Sequence, residues 1–322
     1  MKIKLLTIPF MAGLLGLGSC NLNNEPTSNY QQIPFKVCNL VMPAQGESFA
    51  TQGNYTLTYY YYDGNMTVGT SDLSLGVGNI SFITSAMPYT AQAYTSTGQD
   101  YMEVVSFKGG IFNENNITVN NLTGYTSQIA NIPPAIEMNQ PLYPTSFNVP
   151  LVLQYDLNHD YKVKTFMQDA TYNGTTTLTT ISPAANTFSN DGVLYRVYFK
   201  AGLNKADVVF YNAKFAENMP VTVNFVLQDL NVNYTKTGYS ISSTPGQNII
   251  PQMISKDGLT PYPTYQFTTF LLNNSSDDLT QANITYMIDM IRTGDDGTQN
   301  VVAKYNGSFT GTYVQNGPRK EN

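Results

Sequence analysis

Apolar residues recur at every second position along much of this chain. The period is clearest in three segments, at residues 193–200, 221–228 and 284–290. A period of two is typical of strands that bury one face and expose the other. We find no long segment with the helical period of 3.6 residues, and Pro and Gly recur too often for long helices. We therefore predict an all-β fold.

The composition agrees with strands and limits the partners. The chain has 24 Tyr and 16 Phe but no Trp, and aromatic residues favour strands. Charged residues are only 12% of the chain, against about 25% in an average protein. The net charge is -6, and no cluster of Lys and Arg stands out. Nucleic-acid binding depends on such clusters, so we predict no nucleic-acid partner.

Tight hairpins are predicted at three places where Gly follows Asp or Asn. These are Tyr62-Asp63-Gly64, Tyr172-Asn173-Gly174 and Tyr305-Asn306-Gly307. Such pairs suit type I′ turns because both central residues need a positive φ.

The same three Gly-containing strings mark the limits of a repeated order of residues. We pair Phe112 with Phe215, Glu114 with Glu217, Pro133 with Pro251, and Pro144 with Pro263. We interpret this order as a duplication, in which residues near 64–172 and 174–305 superpose strand for strand. A unit of this length with short strands is a small barrel or a sandwich. Whether the two units form one packed body stays open.

The amino terminus has the features of a bacterial export signal. Lys2 and Lys4 precede an apolar stretch from Leu5 to Leu17, which is too short to span a bilayer. Small residues then lead to Cys20, whose thiol can be acylated after cleavage. We expect a signal peptide at 1–19, a lipidated flexible tether at 20–33, a first β-unit at 34–172 and a second at 173–322.

This arrangement resembles the calycin-like lipoproteins of Bacteroidetes. The resemblance rests on the string ending in Cys20, on the Asn- and Tyr-rich strands, and on the Tyr-Asn-Gly-Ser-Phe-Thr-Gly-Thr-Tyr strand at 305–313. It implies an all-β lipoprotein in the cell envelope, held to a membrane through its lipid. It supplies no catalytic residues to carry over. We expect the outer membrane, with the periplasmic or surface face left open.

Few residues are suited to catalysis or to cofactor binding. His159 is the only histidine, and Cys38 is the only cysteine besides Cys20. A zinc site needs three or four nitrogen or sulfur ligands. No phosphate-binding glycine loop is present, so we expect no cofactor. We interpret Cys38 as a small buried side chain, with a reactive thiol as the alternative.

One string resembles part of a calcium loop. Asp156, Asn158 and Asp160 place oxygen atoms at every second position, as an EF-hand loop does. The pattern then breaks, because Tyr161 replaces the turn glycine and Met167 the closing Glu. We therefore predict a polar turn between two strands rather than a metal site.

Three weaker sites are left as alternatives. Glu114 and Glu217 either cap turns or line a ligand site. Tyr60 and Tyr62 share one face of a strand and are candidates for stacking on a sugar. Two carboxylate pairs, Asp277-Asp278 and Asp295-Asp296, lie in loop-like segments.

Our leading hypothesis is a non-enzymatic envelope lipoprotein that binds an unidentified ligand or protein partner through its β-units. The alternatives are a structural or fimbrial-type assembly subunit and a glycan-processing enzyme. A barrel with an open apolar pocket would favour ligand binding. A long exposed edge strand would favour assembly by strand addition. Two carboxylates facing each other across a cleft would favour the enzyme.

Overall fold

A computed structural model describes residues 30–60, 63–75, 78–95, 101–130, 151–215, 217, 219, 221–255, 257–275 and 279–314. All regular elements in these ranges are β-strands, so the predicted all-β fold is confirmed. In the same ranges no helix is long and apolar enough to cross a membrane. The signal peptide and Cys20 lie outside the described residues.

The first sheet is a closed barrel. Its strands are β1 (Tyr30–Pro43), β2 (Phe49–Tyr60), β3 (Asn65–Ser74), β4 (Asn79–Ile83), β5 (Met87–Thr95), β6 (Tyr101–Lys108), β7 (Phe112–Glu114), β8 (Ile117–Ala130), β9 (Leu151–Leu157) and β10 (Tyr161–Phe166). The barrel order is β1-β2-β3-β5-β6-β8-β9-β10, and β10 pairs with β1 to close it. β4 pairs with β3 and β7 with β8 as short additions.

The second sheet is a closed barrel of the same kind. Its strands are β11 (Asp169–Ser182), β12 (Asn186–Phe199), β13 (Lys205–Ala213), β14 (Val223–Tyr234), β15 (Tyr239–Ser242), β16 (Gln252–Ser255), β17 (Gly258–Pro261), β18 (Tyr265–Asn274), β19 (Gln281–Thr293) and β20 (Gln299–Val314). The barrel order is β11-β12-β13-β14-β15-β18-β19-β20, closed between β20 and β11. The hairpin β16–β17 extends from β14.

Both barrels are therefore antiparallel and up-and-down, with eight strands each and the first strand paired to the last. This confirms two tandem β-units, and it decides for barrels rather than sandwiches. The predicted residue pairs are wrong where they can be compared. Phe112 lies between the fifth and sixth barrel strands of its unit, whereas Phe215 follows the third, so Glu114 and Glu217 also differ in position. Pro133 and Pro144 lie outside the described residues.

Only the first of the three predicted hairpins is confirmed. Asp63 and Gly64 lie in the turn between β2 and β3, and the Asp63 N–H donates to the Tyr60 carbonyl (3.2 Å). Gly174 and Gly307 lie inside β11 and β20 instead. They serve close packing rather than turning. A Cβ on Gly174 would clash with the Thr310 carbonyl, and one on Gly307 would clash with the Tyr286 ring.

The unit limits differ slightly from those we expected. β1 begins at Tyr30, so residues 30–33 are strand and not part of a flexible tether. The first barrel ends at Phe166, and β11 begins at Asp169, which places Tyr172 in the second barrel. The reason is that residues 30–33 pair with residues 57–60 of β2, and Ile33 is buried.

Side chains fill the interior of the first barrel. Tyr55, Leu57, Leu153 and Tyr155 are among its most deeply buried residues. The Tyr55 hydroxyl donates to Asn39 Oδ1 (2.8 Å), so the Tyr155 hydroxyl donates to Tyr55 (2.8 Å). This chain of hydrogen bonds satisfies phenol groups that the barrel encloses.

The interior of the second barrel is packed with aromatic rings. The Tyr195 ring lies between Phe210 and Phe309, with ring centroids 4.3 Å apart in both cases. Phe210 also stacks on Phe225 at 4.4 Å. The Tyr195 hydroxyl reaches Thr176 Oγ1 at 3.1 Å. Rings at these distances leave no space between them for a ligand.

The side of the first barrel closes one end of the second. Phe166 packs against Phe199 at 5.0 Å and against Tyr239 at 5.2 Å between ring centroids. Cys38 lies opposite Phe166 in the β1–β10 pairing and is fully buried, as predicted from its apolar neighbours. One continuous hydrophobic cluster runs through both barrels. The two units thus form one packed body.

Candidate binding surface

The string proposed as a calcium loop forms the turn between β9 and β10. Asp156 Oδ2 accepts a hydrogen bond from Asn121 Nδ2, and Asn158 Oδ1 accepts one from the Thr118 N–H, both at 2.7 Å. These oxygen atoms therefore bind β8, and Asp160 is exposed. The predicted polar turn is confirmed. Within the described ranges, no group of three His, Cys, Asp or Glu side chains is placed to hold a metal.

The structure does not bring the weaker candidates together. Glu114 is exposed at the end of β7, next to the turn that leads into β8. Glu217 is exposed after β13, and its carbonyl accepts a hydrogen bond from Lys214 Nζ (3.4 Å). Tyr60 is half-buried at the end of β2, where its ring lies 6.2 Å from that of Tyr30. Tyr62 lies outside the described residues.

Cys38 and His159 cannot act as a pair. His159 lies in the turn before β10, whereas Cys38 pairs with Phe166 at the other end of that strand. Burial raises the pKa of the Cys38 thiol to about 12. The thiol is therefore protonated at neutral pH and is a poor nucleophile.

One of the two carboxylate pairs lies among the described residues. Asp295 and Asp296 are exposed in the turn between β19 and β20. A hydrogen bond from the Thr298 N–H (2.9 Å) lowers the pKa of the Asp296 carboxyl. The general acid of a glycosidase needs the opposite shift, a raised pKa. Asp277 and Asp278 lie outside the described residues.

A large surface of mostly uncharged polar side chains covers the outer side of five neighbouring strands of the second barrel. We call it the hydroxyl face. It is formed by alternate, outward-facing residues: Thr187, Ser189 and Asp191 on β12; Asn173, Thr175, Thr177 and Thr179 on β11; Asn306, Ser308, Thr310 and Thr312 on β20; Gln281, Asn283, Thr285 and Met287 on β19; and Thr269, Leu271 and Asn273 on β18.

Strand register places these side chains in rows across the barrel. One row runs through Ser189, Thr177, Ser308, Thr285 and Leu271, because each residue is paired with the next. Neighbours in a row are one inter-strand spacing apart, about 4.8 Å. The Thr177 and Ser189 hydroxyls lie 3.3 Å apart, as such a row requires.

Charged groups lie at the edges of the hydroxyl face. Asp191 is its single charged member, and its carboxylate accepts a hydrogen bond from Thr175 Oγ1 (2.7 Å). Beyond Asn306 and Met287, Lys304 pairs with Asp289 at 3.5 Å. The centre therefore presents hydroxyl and amide groups without a net charge.

Several other charged residues of this barrel form ion pairs on or beside strands β11 to β14. Lys200 Nζ lies 2.5 Å from Asp229 Oδ1 and 3.1 Å from Asp207 Oδ1. Arg196 is buried in a two-point contact with Asp169, with Nε to Oδ1 at 2.6 Å. The hairpin β16–β17 covers the nearby apolar patch around Val209. Charge is thus separated from the hydroxyl face.

The matching strands of the first barrel differ. Their outer side carries Lys36 on β1, Lys162 and Lys164 on β10, and Asp156 on β9. The rest of β1 on that side is covered by the second barrel around Cys38. Among its described residues, the first barrel therefore has no counterpart of the hydroxyl face at the matching position.

The junction between the barrels contains a small cavity of about 20 Å³. Its walls include Phe166, Tyr172 and Tyr313. A volume of this size has room for about one water molecule. It is too small to be a ligand site.

Sequence reasoning missed the hydroxyl face. The sequence does contain two segments rich in hydroxyl-bearing residues. Residues 175–180 read Thr-Thr-Thr-Leu-Thr-Thr, and residues 308–312 read Ser-Phe-Thr-Gly-Thr. The sequence does not show that the two segments pair with each other, which only the register of β11 and β20 reveals.

The chain matches no known protein family and no curated protein sequence. Among solved structures, it is similar to a mutant of the vaccine antigen Transferrin Binding Protein B from Haemophilus parasuis Hp5. The two share 7% sequence identity, over 88% of this chain and 77% of the other, with a TM-score of 0.23. This score is too low to establish a common fold, so the assignment of the barrels rests on strand order alone.

Proposed function

We propose that this chain is a lipid-anchored protein of the cell envelope that binds a ligand or partner on the outside of its barrels, without an enzymatic role. The anchor is the lipid on Cys20, and the outer membrane is the expected location. The observation that carries the binding mode is that, among the described residues, side chains fill the interior of both barrels. Where Tyr195 contacts two aromatic rings at 4.3 Å, a carrier barrel would need an empty cavity.

Assembly by strand addition has less support. Each strand of the two barrel rings has a neighbour on both sides, so neither ring offers a groove for a donated strand. Among the described additions, β4 and β17 are five and four residues long. Short edges of this kind are how proteins avoid pairing with other chains.

Lipid labelling tests the anchor. Cells that express the full chain, or its Cys20→Ala variant, are grown with an alkyne-labelled fatty acid. The parent should carry the label and fractionate with membranes, whereas Cys20→Ala should do neither. Equal labelling of the two proteins contradicts the anchor.

Native mass spectrometry tests where binding occurs. The full chain is released from membranes with a mild detergent and weighed intact. We expect the mass of the lipidated chain alone, because side chains fill the interior of each barrel in the part of the chain that the structure describes. A second molecule held at one-to-one stoichiometry after gel filtration would show a carrier and contradict the proposed binding mode.

A further inference from the structure

We propose that the hydroxyl face binds a neutral polysaccharide, an inference that rests on the proposed function and names its ligand class. Strand formation alone does not account for the composition of this face. Thr is a good strand residue, but Lys36 and Lys162 occupy outward positions on matching strands of the first barrel. An outer barrel face in this chain therefore tolerates charge, and the neutrality of the hydroxyl face needs another explanation.

The chemistry of the face excludes most classes of ligand. Nucleic acids and sulfated or phosphorylated polymers need Lys or Arg, which the face lacks. Anionic membrane surfaces also attract basic residues. The residues that most often anchor protein interfaces are Trp, Tyr and Arg, and the face has none of them. Hydroxyl and amide groups both donate and accept hydrogen bonds, as a polyhydroxyl ligand does.

Two exposed apolar side chains of the hydroxyl face also suit a sugar ligand. Leu271 is 38% exposed and Met287 is 40% exposed, although both lie among polar neighbours. Leu271 pairs with Thr285 and Met287 pairs with Thr269, so the two apolar residues are diagonal neighbours on one face. Such a pair offers a contact for the C–H side of a sugar ring, while Thr285 and Asn283 lie within reach of its hydroxyls.

The ligand has to be a polymer. A hydrogen bond between neutral groups contributes only about 0.5–1.5 kcal/mol, because water competes for both partners. Single sugars would therefore bind weakly. A chain that crosses β18, β19 and β20 meets several equivalent rows and gains affinity from the repeated contacts.

Affinity electrophoresis of the full chain tests the proposal. The gels contain amylopectin, dextran, galactomannan or xylan, with dextran sulfate as the charged counterpart. We expect at least one neutral polysaccharide to retard the protein and dextran sulfate to leave it unaffected. Thr285→Lys and Ser308→Lys, in the central row, should weaken the retardation by roughly tenfold or more. Glucose should not compete, whereas longer oligosaccharides should.

The matched control is Thr260→Lys, an exposed threonine on β17 away from the face. It should bind as the parent does, and melting temperatures should show that all three variants are folded. The proposal is overturned if no neutral polysaccharide retards the protein, or if Thr260→Lys and Thr285→Lys behave alike. Labelling and native mass spectrometry do not depend on this face, so they decide the proposed function separately.

Discussion

Tyrosine plays a particular role inside these barrels. Its ring fills space as Phe does, while its hydroxyl pairs with another enclosed polar group. Tyr172, Tyr239 and Asn274 show this at the junction, where Asn274 Nδ2 donates to both phenol oxygens at 2.9 and 3.0 Å. Hydrogen bonds of this kind link strands that are far apart in the sequence. They also make barrel stability depend on keeping the phenols protonated.

Alkaline pH should therefore unfold the protein. Burial raises the pKa of Tyr195 from 10.0 to about 12. A raised folded-state pKa gives stability that is complete below pH 10 and is lost as the pH rises toward 12. Tyr195→Phe should show a shallower fall in melting temperature between these values. At pH 8 it should be about 1 kcal/mol less stable, because its hydrogen bonds are lost.

Circular dichroism melts from pH 8 to pH 12 measure this effect. Tyr60→Phe, at a half-buried position at the end of β2, is the control and should follow the parent. If Tyr195→Phe loses stability with pH as steeply as the parent does, its phenol does not contribute to the alkaline transition.

At the residue scale, the sequence predicted which side chains are buried better than it predicted where the backbone turns. The apolar run around Cys38 correctly predicted a buried thiol, because burial follows from hydrophobic neighbours. Gly174 and Gly307 were wrongly predicted as turn residues. Their role depends on Thr310 and Tyr286, which are far away in the chain and close only through strand pairing.

Alternation defined many strands well at the element scale. Ile284, Tyr286 and Ile288 are buried in β19 as predicted, since period two reports which side faces a core. The limits of elements were less predictable. Val221 belongs to an alternating segment, yet it is 62% exposed and lies before β14 begins at Val223. Partner strands and register could not be predicted, because they depend on contacts between distant segments.

The turn between β7 and β8 shows a local signal that was overlooked. Asn115 and Asn116 join Glu114 to Ile117, and their φ angles are 53° and 63°. Both are in the left-handed region, as a two-residue hairpin requires. Asn tolerates this region better than most residues. The Asn-Asn pair can therefore occupy a turn in which Asn-Gly is the usual pair.

Replacing the second turn residue should change stability in a predictable direction. Asn116→Gly should stabilise the protein by roughly 0.5 kcal/mol, because Gly adopts a positive φ without strain. Asn116→Val should destabilise it by about 1–2 kcal/mol, since a β-branched residue is strained there. Urea unfolding measures both variants. Asn79→Gly, at the start of β4, is the control and should lose stability. A gain for Asn79→Gly equal to that for Asn116→Gly would contradict the role of φ.

At the scale of the whole molecule, the barrels are joined side to end. Val37 and Leu40 on β1 are buried although they point to opposite faces of the strand. One face lines the first barrel, and the other is covered by the second. The continuous apolar run in this segment was a signal for burial on both sides. What covers the second side was not predictable, because Tyr234 and Tyr239 come from the other half of the chain.

The joint should make the two barrels unfold together. Phe166 contacts Phe199, Tyr234 and Tyr239 across the junction and is 5% exposed. We expect the parent to show one calorimetric transition. Phe166→Ala removes these contacts and leaves a cavity, which should destabilise the protein by about 3–5 kcal/mol. Because the lost contacts lie between barrels rather than inside one, the variant should unfold in two separate transitions.

Lys236→Ala is the matched control at the exposed rim of the same junction, where Lys236 Nζ donates to the Pro43 carbonyl. A single exposed contact contributes little, so this variant should stay within about 0.5 kcal/mol of the parent and keep one transition. The result that counts against a rigid joint is a single transition for Phe166→Ala with a shift no larger than that of Lys236→Ala. In that case the ring contacts of Phe166 do not hold the two barrels together.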